Sequence, residues 1–137
     1  MLLVDTNIFL EVMLGQLEQE SCATFLRELR DGGRKGAVTD FTIYSIMVTL
    51  EWAGKLPELK TFLSSLSAYR GLTLHPTSLE EKLNAVELVI EGKFDLDDAL
   101  QYVSARTLKS EGIVSLDRHF DGHPIPRIEP ASLSTVK

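Results

Sequence analysis

Short apolar runs that end on a polar residue alternate along this chain with segments of helical period, and that alternation leaves few architectures open. Met1 to Val4 is an apolar run ended by Asp5, as expected for a buried strand emerging into a polar loop. Further strand-like pieces are Ala37 to Thr39, Leu72 to His75, Ile113 to Leu116 and the less regular Pro126 to Ile128. Between them, Cys22, Phe25, Leu26 and Leu29 fall at i, i+3, i+4 and i+7, and so do Leu59, Phe62, Leu63 and Leu66. Leu79, Leu83, Val86 and Ile90 continue the pattern and predict a further core-facing helix, with Ser78 and Glu81 as a capping box at its start. Strands that alternate with helices in this way predict an α/β fold with parallel strands, right-handed crossovers and helices on both faces of the sheet.

The chain has 137 residues, 44% of them hydrophobic, enough for one core in a single domain spanning residues 1–137. No repeat, low-complexity tract or linker divides it. One cysteine cannot make an internal disulfide, so a stapled secreted module is disfavoured and a reducing cytoplasm fits best. The apolar stretch around Ile43 to Leu50 is far too short to span a membrane, and residues 1–10 lack the basic start and cleavage site of a signal peptide. The formal net charge is −6, and residues 80–98 alone carry −5. Nucleic-acid binding by phosphate neutralisation rests on Lys and Arg, so a chain of this charge needs another source of positive potential.

In an open parallel sheet, ligands bind beyond the carboxyl ends of the strands. Asp5 and Asp117 both stand just after an apolar run, and Asp98 opens a helical stretch in which it shares a face with Tyr102 and Ala105. Carboxylates gathered at one sheet edge repel, and without compensation one of them takes up a proton. A divalent cation with a preference for oxygen, Mg²⁺ or Mn²⁺, removes the conflict, bridges a phosphate and activates water. Each acid also has a plain structural reading. Asp5 is placed to cap the helix that begins near Asn7, Asp97 to cap the helix of Asp98, and Asp40 to cap the helix that follows it. Asp95 is expected to face solvent, and Asp117 and Asp121 lie in a loop bounded by Gly122 and Pro124, where Asp serves turn chemistry.

Other chemistries are less well supported. His119 and His123 have i, i+4 spacing, but Gly122 and Pro124 oppose a helix through them and so a zinc pair. Cys22 reads as a packed thiol, the Gly32–Gly33 pair as a helix end, and Trp52 and Tyr69 as core or rim residues.

The segment Leu2-Leu3-Val4-Asp5-Thr6-Asn7-Ile8 resembles the opening motif of PIN-domain proteins. Asp98-Ala99-Leu100, followed by Ile113-Val114-Ser115-Leu116-Asp117-Arg118-His119-Phe120, resembles their second half. The resemblance implies a three-layer α/β/α sandwich with a mainly parallel central sheet, and metal-dependent cleavage of RNA. Many small members are VapC-type toxins held by an antitoxin, so the resemblance also implies an antitoxin partner and a homodimer. By the same resemblance Asp5, Asp98 and Asp117 are catalytic metal ligands, and Asn7 and Ser115 are polar residues that support them.

Two positions depart from the family pattern. Its usual helix Glu falls near Ser45 here, and Glu51 lies well off the face of Ser45 on the same predicted helix. The acid often found two residues beyond Asp117 is replaced by His119, with Asp121 as a displaced substitute ligand. Three functions are therefore compared: a Mg²⁺- or Mn²⁺-dependent ribonuclease toxin, a non-catalytic module that binds RNA or a partner protein, and an aspartyl-nucleophile phosphotransfer enzyme. The last class usually has an acid two residues after its first Asp, where this chain has Asn7.

Overall fold

The computed structural model describes residues 1–133. The chain runs β1 (Leu2–Val4), α1 (Thr6–Met13), α2 (Gln19–Asp31), β2 (Gly36–Thr39), α3 (Asp40–Trp52), α4 (Leu56–Leu66), β3 (Leu72–His75), α5 (Leu79–Ile90), α6 (Leu96–Thr107), β4 (Ile113–Val114), a 3-10 turn at Arg118–Phe120, β5 (Arg127–Ile128) and α7 (Pro130–Leu133). The five strands form one sheet in the order β3-β2-β1-β4-β5, and every pairing is parallel. The α/β expectation holds, and β4 and β5 are shorter than the apolar runs that announced them. No helix among the described residues is long and apolar enough to cross a membrane.

Strand periodicity builds two cores. Successive side chains on a strand point to opposite faces, so Leu2 and Val4 of β1, Val38 of β2 and Val114 of β4 pack with α1 to α4. Leu3, Ala37 and Ile113 point the other way, onto α5, α6 and Phe120. Helices thus cover both faces, because β1, β2 and β4 are buried on both sides. Gly71 sets the register at the open edge: a Cβ there would collide with the Arg34 carbonyl, while its own N–H donates to Leu29 O and its carbonyl accepts the Gly36 N–H, both at 2.8 Å.

Three local expectations are corrected. The stripe Leu79, Leu83, Val86 and Ile90 of α5 faces solvent, with Leu79 and Ile90 74% and 78% exposed. The capping box decides the rotation of this helix. Glu81 accepts the Ser78 N–H at 2.8 Å and meets His75 Nε2 at 2.9 Å, which turns Glu81 inward and carries Ala85 and Leu88, at i+4 and i+7, into the core. Asp40 does not cap α3. Thr39 does, accepting the Thr42 N–H at 3.0 Å, while Asp40 reaches across to the Thr77 N–H and hydroxyl. Trp52, read as core or rim, ends α3 on an exposed face shared with Tyr44 and Val48, while Ile46 and Leu50 are buried.

The strand order reverses between β1 and β4: the chain starts at β1, moves outward to β2 and β3, then returns to β4 on the other side. A crevice opens at the carboxyl ends of the strands at such a reversal.

Candidate functional site

Asp5 follows the last residue of β1 and caps α1, accepting the Thr6 N–H on Oδ1 at 2.8 Å. Asp117 follows β4 and starts the 3-10 turn, where its Oδ1 accepts the His119 N–H at 2.9 Å. Asp98 lies in the first turn of α6, where the helix dipole favours a carboxylate. All three line one cavity of about 230 Å³, together with Thr6, Asn7, Leu10, Phe41, Ser45, Asp97 and Gln101. Ser45 opens on it from α3, the position where the family resemblance places an acid.

A buried polar lattice holds Asp5. Its Oδ1 also accepts from Gln101 Nε2 at 2.9 Å, and its Oδ2 accepts from Ser115 Oγ at 2.7 Å and Asn7 Nδ2 at 3.2 Å. The four donors match the four lone-pair directions of a carboxylate. Each polar partner is held in turn. Gln101 Nε2 also donates to Thr42 Oγ1 at 2.8 Å, while its Oε1 accepts from Thr39 Oγ1 at 3.0 Å. Ser115 Oγ accepts the Asp117 N–H at 2.9 Å, and Asn7 Oδ1 accepts the Leu116 N–H at 3.3 Å. Asn7 and Ser115 therefore tie the loop after β4 to the loop after β1.

The electrostatics are those of a cation site. Burial raises the pKa of Asp5 against the hydrogen bonds that lower it, and the charge of Asp117 adds to the rise. Burial, followed by the charges of Asp117 and Asp97, pushes Asp98 up to about 6. Carboxylates that raise one another's pKa across a shared cavity are relieved by a bound cation with a preference for oxygen. On the flank of Asp98, one donor atom from each of Asp95, Asp98 and His119 lies within 4.8 Å of the others, a group able to hold a metal ion.

Several residues were placed differently by sequence reasoning. Asp97 does not cap α6; Asp95 holds the N-cap position with extended backbone, and Asp97, two residues later, lines the cavity. Asp121, the displaced substitute, does not line the cavity. Arg127 Nε binds its carboxylate at 2.8 Å and holds its pKa below the ordinary value. His123 stacks on Phe94, with ring centres 4.4 Å apart, so the two histidines do not form a pair. His119 Nδ1 instead lies 3.1 Å from Asp98 Oδ2 and 3.2 Å from Asp117 Oδ1, and the Asp98 hydrogen bond followed by the Asp117 charge raises its pKa. Gln101 and Thr42 escaped the sequence reading altogether. The available signal was spacing: Gln101 is at i+3 from Asp98, on the buried side of the same helix.

No protein-family model and no curated protein sequence matches this chain. Solved structures do. A toxin-antitoxin complex from Klebsiella pneumoniae includes a chain that superposes with a TM-score of 0.71 at 20% identity, over 95% of this chain and 98% of that one. VapC20 of Mycobacterium tuberculosis, a toxin that cleaves the sarcin-ricin loop, gives a TM-score of 0.76 at 11% identity, over 95% of this chain and all (100%) of the other. VapBC2 from Rickettsia felis, crystallised on a fragment of promoter DNA, gives 0.67 at 16% identity over 93% and 96%.

Proposed function

We propose that this chain, which shares the PIN-like fold of VapC-type toxins, is a Mg²⁺- or Mn²⁺-dependent ribonuclease and the toxin of a toxin-antitoxin pair. The observation that carries this reading is the meeting of Asp5, Asp98 and Asp117 in one cavity at the sheet's reversal point. In this reading the three carboxylates hold the ion, and Asn7, Ser115 and Gln101 keep the Asp5 carboxylate in place. When bound, a divalent cation stabilises negative charge on a phosphate and turns water into a nucleophile at neutral pH.

The rest is done by the chain. Thr6, Asn7 and Ser115 give Asp5 one fixed orientation, so an ion need not organise it on arrival. Asp98 and Asp117, which also line the cavity, each carry one such hydrogen bond against four on Asp5. Four donors on Asp5 leave it poorly suited to attack a phosphorus atom, which weighs against the aspartyl-phosphate alternative.

Partners follow from the same reading. A chain of net charge −6 gains an RNA-binding potential from its ion, and an antitoxin protein is its partner, as in the toxin-antitoxin complexes it resembles. Self-association as a homodimer is read from the family resemblance and is tested by light scattering.

The decisive experiment compares cleavage of structured RNA by wild type, Asp5→Asn and Asp98→Asn, with folding followed by circular dichroism. Cleavage should collapse in both variants while folding persists. Unchanged cleavage would exclude the metal mechanism. The presence of Ser45 at the cavity, where an acid was expected, favours a second reading as a non-catalytic RNA-binding module. RNA binding without cleavage in wild type, at saturating Mn²⁺, would select that reading.

A further inference from the structure

Two of the cavity's acids meet a nitrogen donor from the adjoining depression, which His119 lines with Asp95. His119 Nδ1 stands 3.1 Å from Asp98 Oδ2 and 3.2 Å from Asp117 Oδ1. Two ligands at right angles on bonds of about 2.1 Å stand roughly 3.0 Å apart, so each separation is that of a neighbouring pair of ligand atoms on a first-row dication, and Asp95 brings a further donor atom within 4.8 Å of Asp98 and His119. The ring is also anchored from its own backbone. Asp117 Oδ1 accepts the His119 N–H at 2.9 Å within the 3-10 turn, which holds Asp117 and the imidazole on the same side. On the opposite wall the Asp5 oxygens already meet four donors, and an ion that binds Asp5 must displace one of them, most readily the 3.2 Å contact from Asn7.

We propose that His119 Nδ1 is a ligand of the cavity's metal ion and biases the site toward first-row transition dications over Mg²⁺; the inference rests on the metal-dependent reading given above. Two consequences of the residue's chemistry support it. An imidazole is neutral, so the site carries less negative charge than one with a fourth carboxylate, and Mg²⁺ relies most on anionic oxygen. Nitrogen ligation favours transition ions, along an order in which Mn²⁺ is the weakest member and therefore the strictest probe. The ring is 67% exposed, so its second nitrogen can keep its proton in water while Nδ1 ligates.

The test uses the full chain with Mn²⁺ and Mg²⁺ alone. Electron spin echo modulation from a directly bound ¹⁴N is expected in the Mn²⁺-loaded wild type, and calorimetry is expected to give Mn²⁺ an advantage of about tenfold or more over Mg²⁺. In His119→Asp the nitrogen modulation should vanish, Mn²⁺ should still bind, and the preference for Mn²⁺ should shrink several-fold as Mg²⁺ affinity rises. His119→Ala should lose Mn²⁺ affinity more than Mg²⁺ affinity. Modulation absent from the loaded wild type, or an unchanged preference in His119→Asp, means a hydrogen bond only and overturns the assignment while leaving the three-acid reading intact. If wild type binds neither ion, the metal-dependent reading fails together with this one; if both ions bind and Asp98→Asn abolishes them, that reading stands whatever His119 does.

Discussion

Ser115 Oγ donates to Asp5 Oδ2 across 2.7 Å, although 110 residues separate them in the chain, and the same oxygen accepts the N–H of Asp117 at 2.9 Å. One hydroxyl therefore connects two of the three acids. Replacing it leaves Asp5 short of a donor in a buried setting, and the Asp117 N–H short of an acceptor. Ser115→Ala should destabilise the fold by about 1–3 kcal/mol in urea unfolding, and it should lower RNA cleavage more than Asn7→Ala, whose contacts to the same group are longer.

A pH prediction follows from Asp98. Its pKa in the folded protein is pushed up to about 6, above the unfolded carboxyl value of about 3.9. A raised pKa means the folded state holds the proton more tightly. The associated stability is fully present below the unfolded value and is lost as pH climbs toward 6. His119, raised from an ordinary value of about 6.5 by its contact with Asp98, acts in the same direction at higher pH. Metal-free protein should therefore melt at lower temperature at pH 7.5 than at pH 5, Asp98→Asn should flatten that dependence, and added Mn²⁺ should raise the melting temperature at pH 7.5. A melting curve series of wild type and Asp98→Asn, with and without Mn²⁺, decides the point.

Ser45 stands on the wall of the cavity without a charge. Ser45→Glu adds an anionic oxygen donor beside Asp5 and Asp98, and affinity for hard cations depends on ligand charge and number. Calorimetry should show tighter Mg²⁺ binding in this variant, with a faster cleavage rate in the RNA assay. No gain in either would mean that a glutamate at this position does not reach the ion.

The rotation of α5 can be checked by stability alone. Leu88 is buried against α6 and Leu83 faces solvent. Leu88→Ala should cost about 2–4 kcal/mol in chemical unfolding, whereas Leu83→Ala should stay within about 0.5 kcal/mol in a dilute monomer. Equal costs would contradict the helix orientation described above.

What could be read from the sequence depended on whether a signal was local. Val4 followed by Asp5, and Val114 followed by Ser115 and Asp117, mark strand ends through hydrophobicity and position alone, so the acids' convergence at one sheet edge was legible. The capping box of Ser78 and Glu81 was equally local. The rotation of α5 was not, because four leucine, valine and isoleucine residues outweigh one glutamate by hydrophobic count, while the inward face is chosen by a partner, His75, on another element. Asp40 and Asp97 were misread for the same reason: either residue fits a cap by type, and tertiary contacts select which one serves. Gln101 was invisible because its value lies in reaching Asp5, Thr39 and Thr42 at once, across three elements that only the sheet order brings together.

Asp5 follows the first strand to be made, and Ser115 and Asp117 follow the fourth, so the order of synthesis constrains the site. A chain interrupted between α6 and β4 can build most of one core and much of the other, yet it carries a buried acid with no Ser115 hydroxyl to donate to it and no second wall to the cavity. Prematurely ended products would be both unstable and inert, and a cell making this protein would meet its chemistry only from copies translated past Asp117.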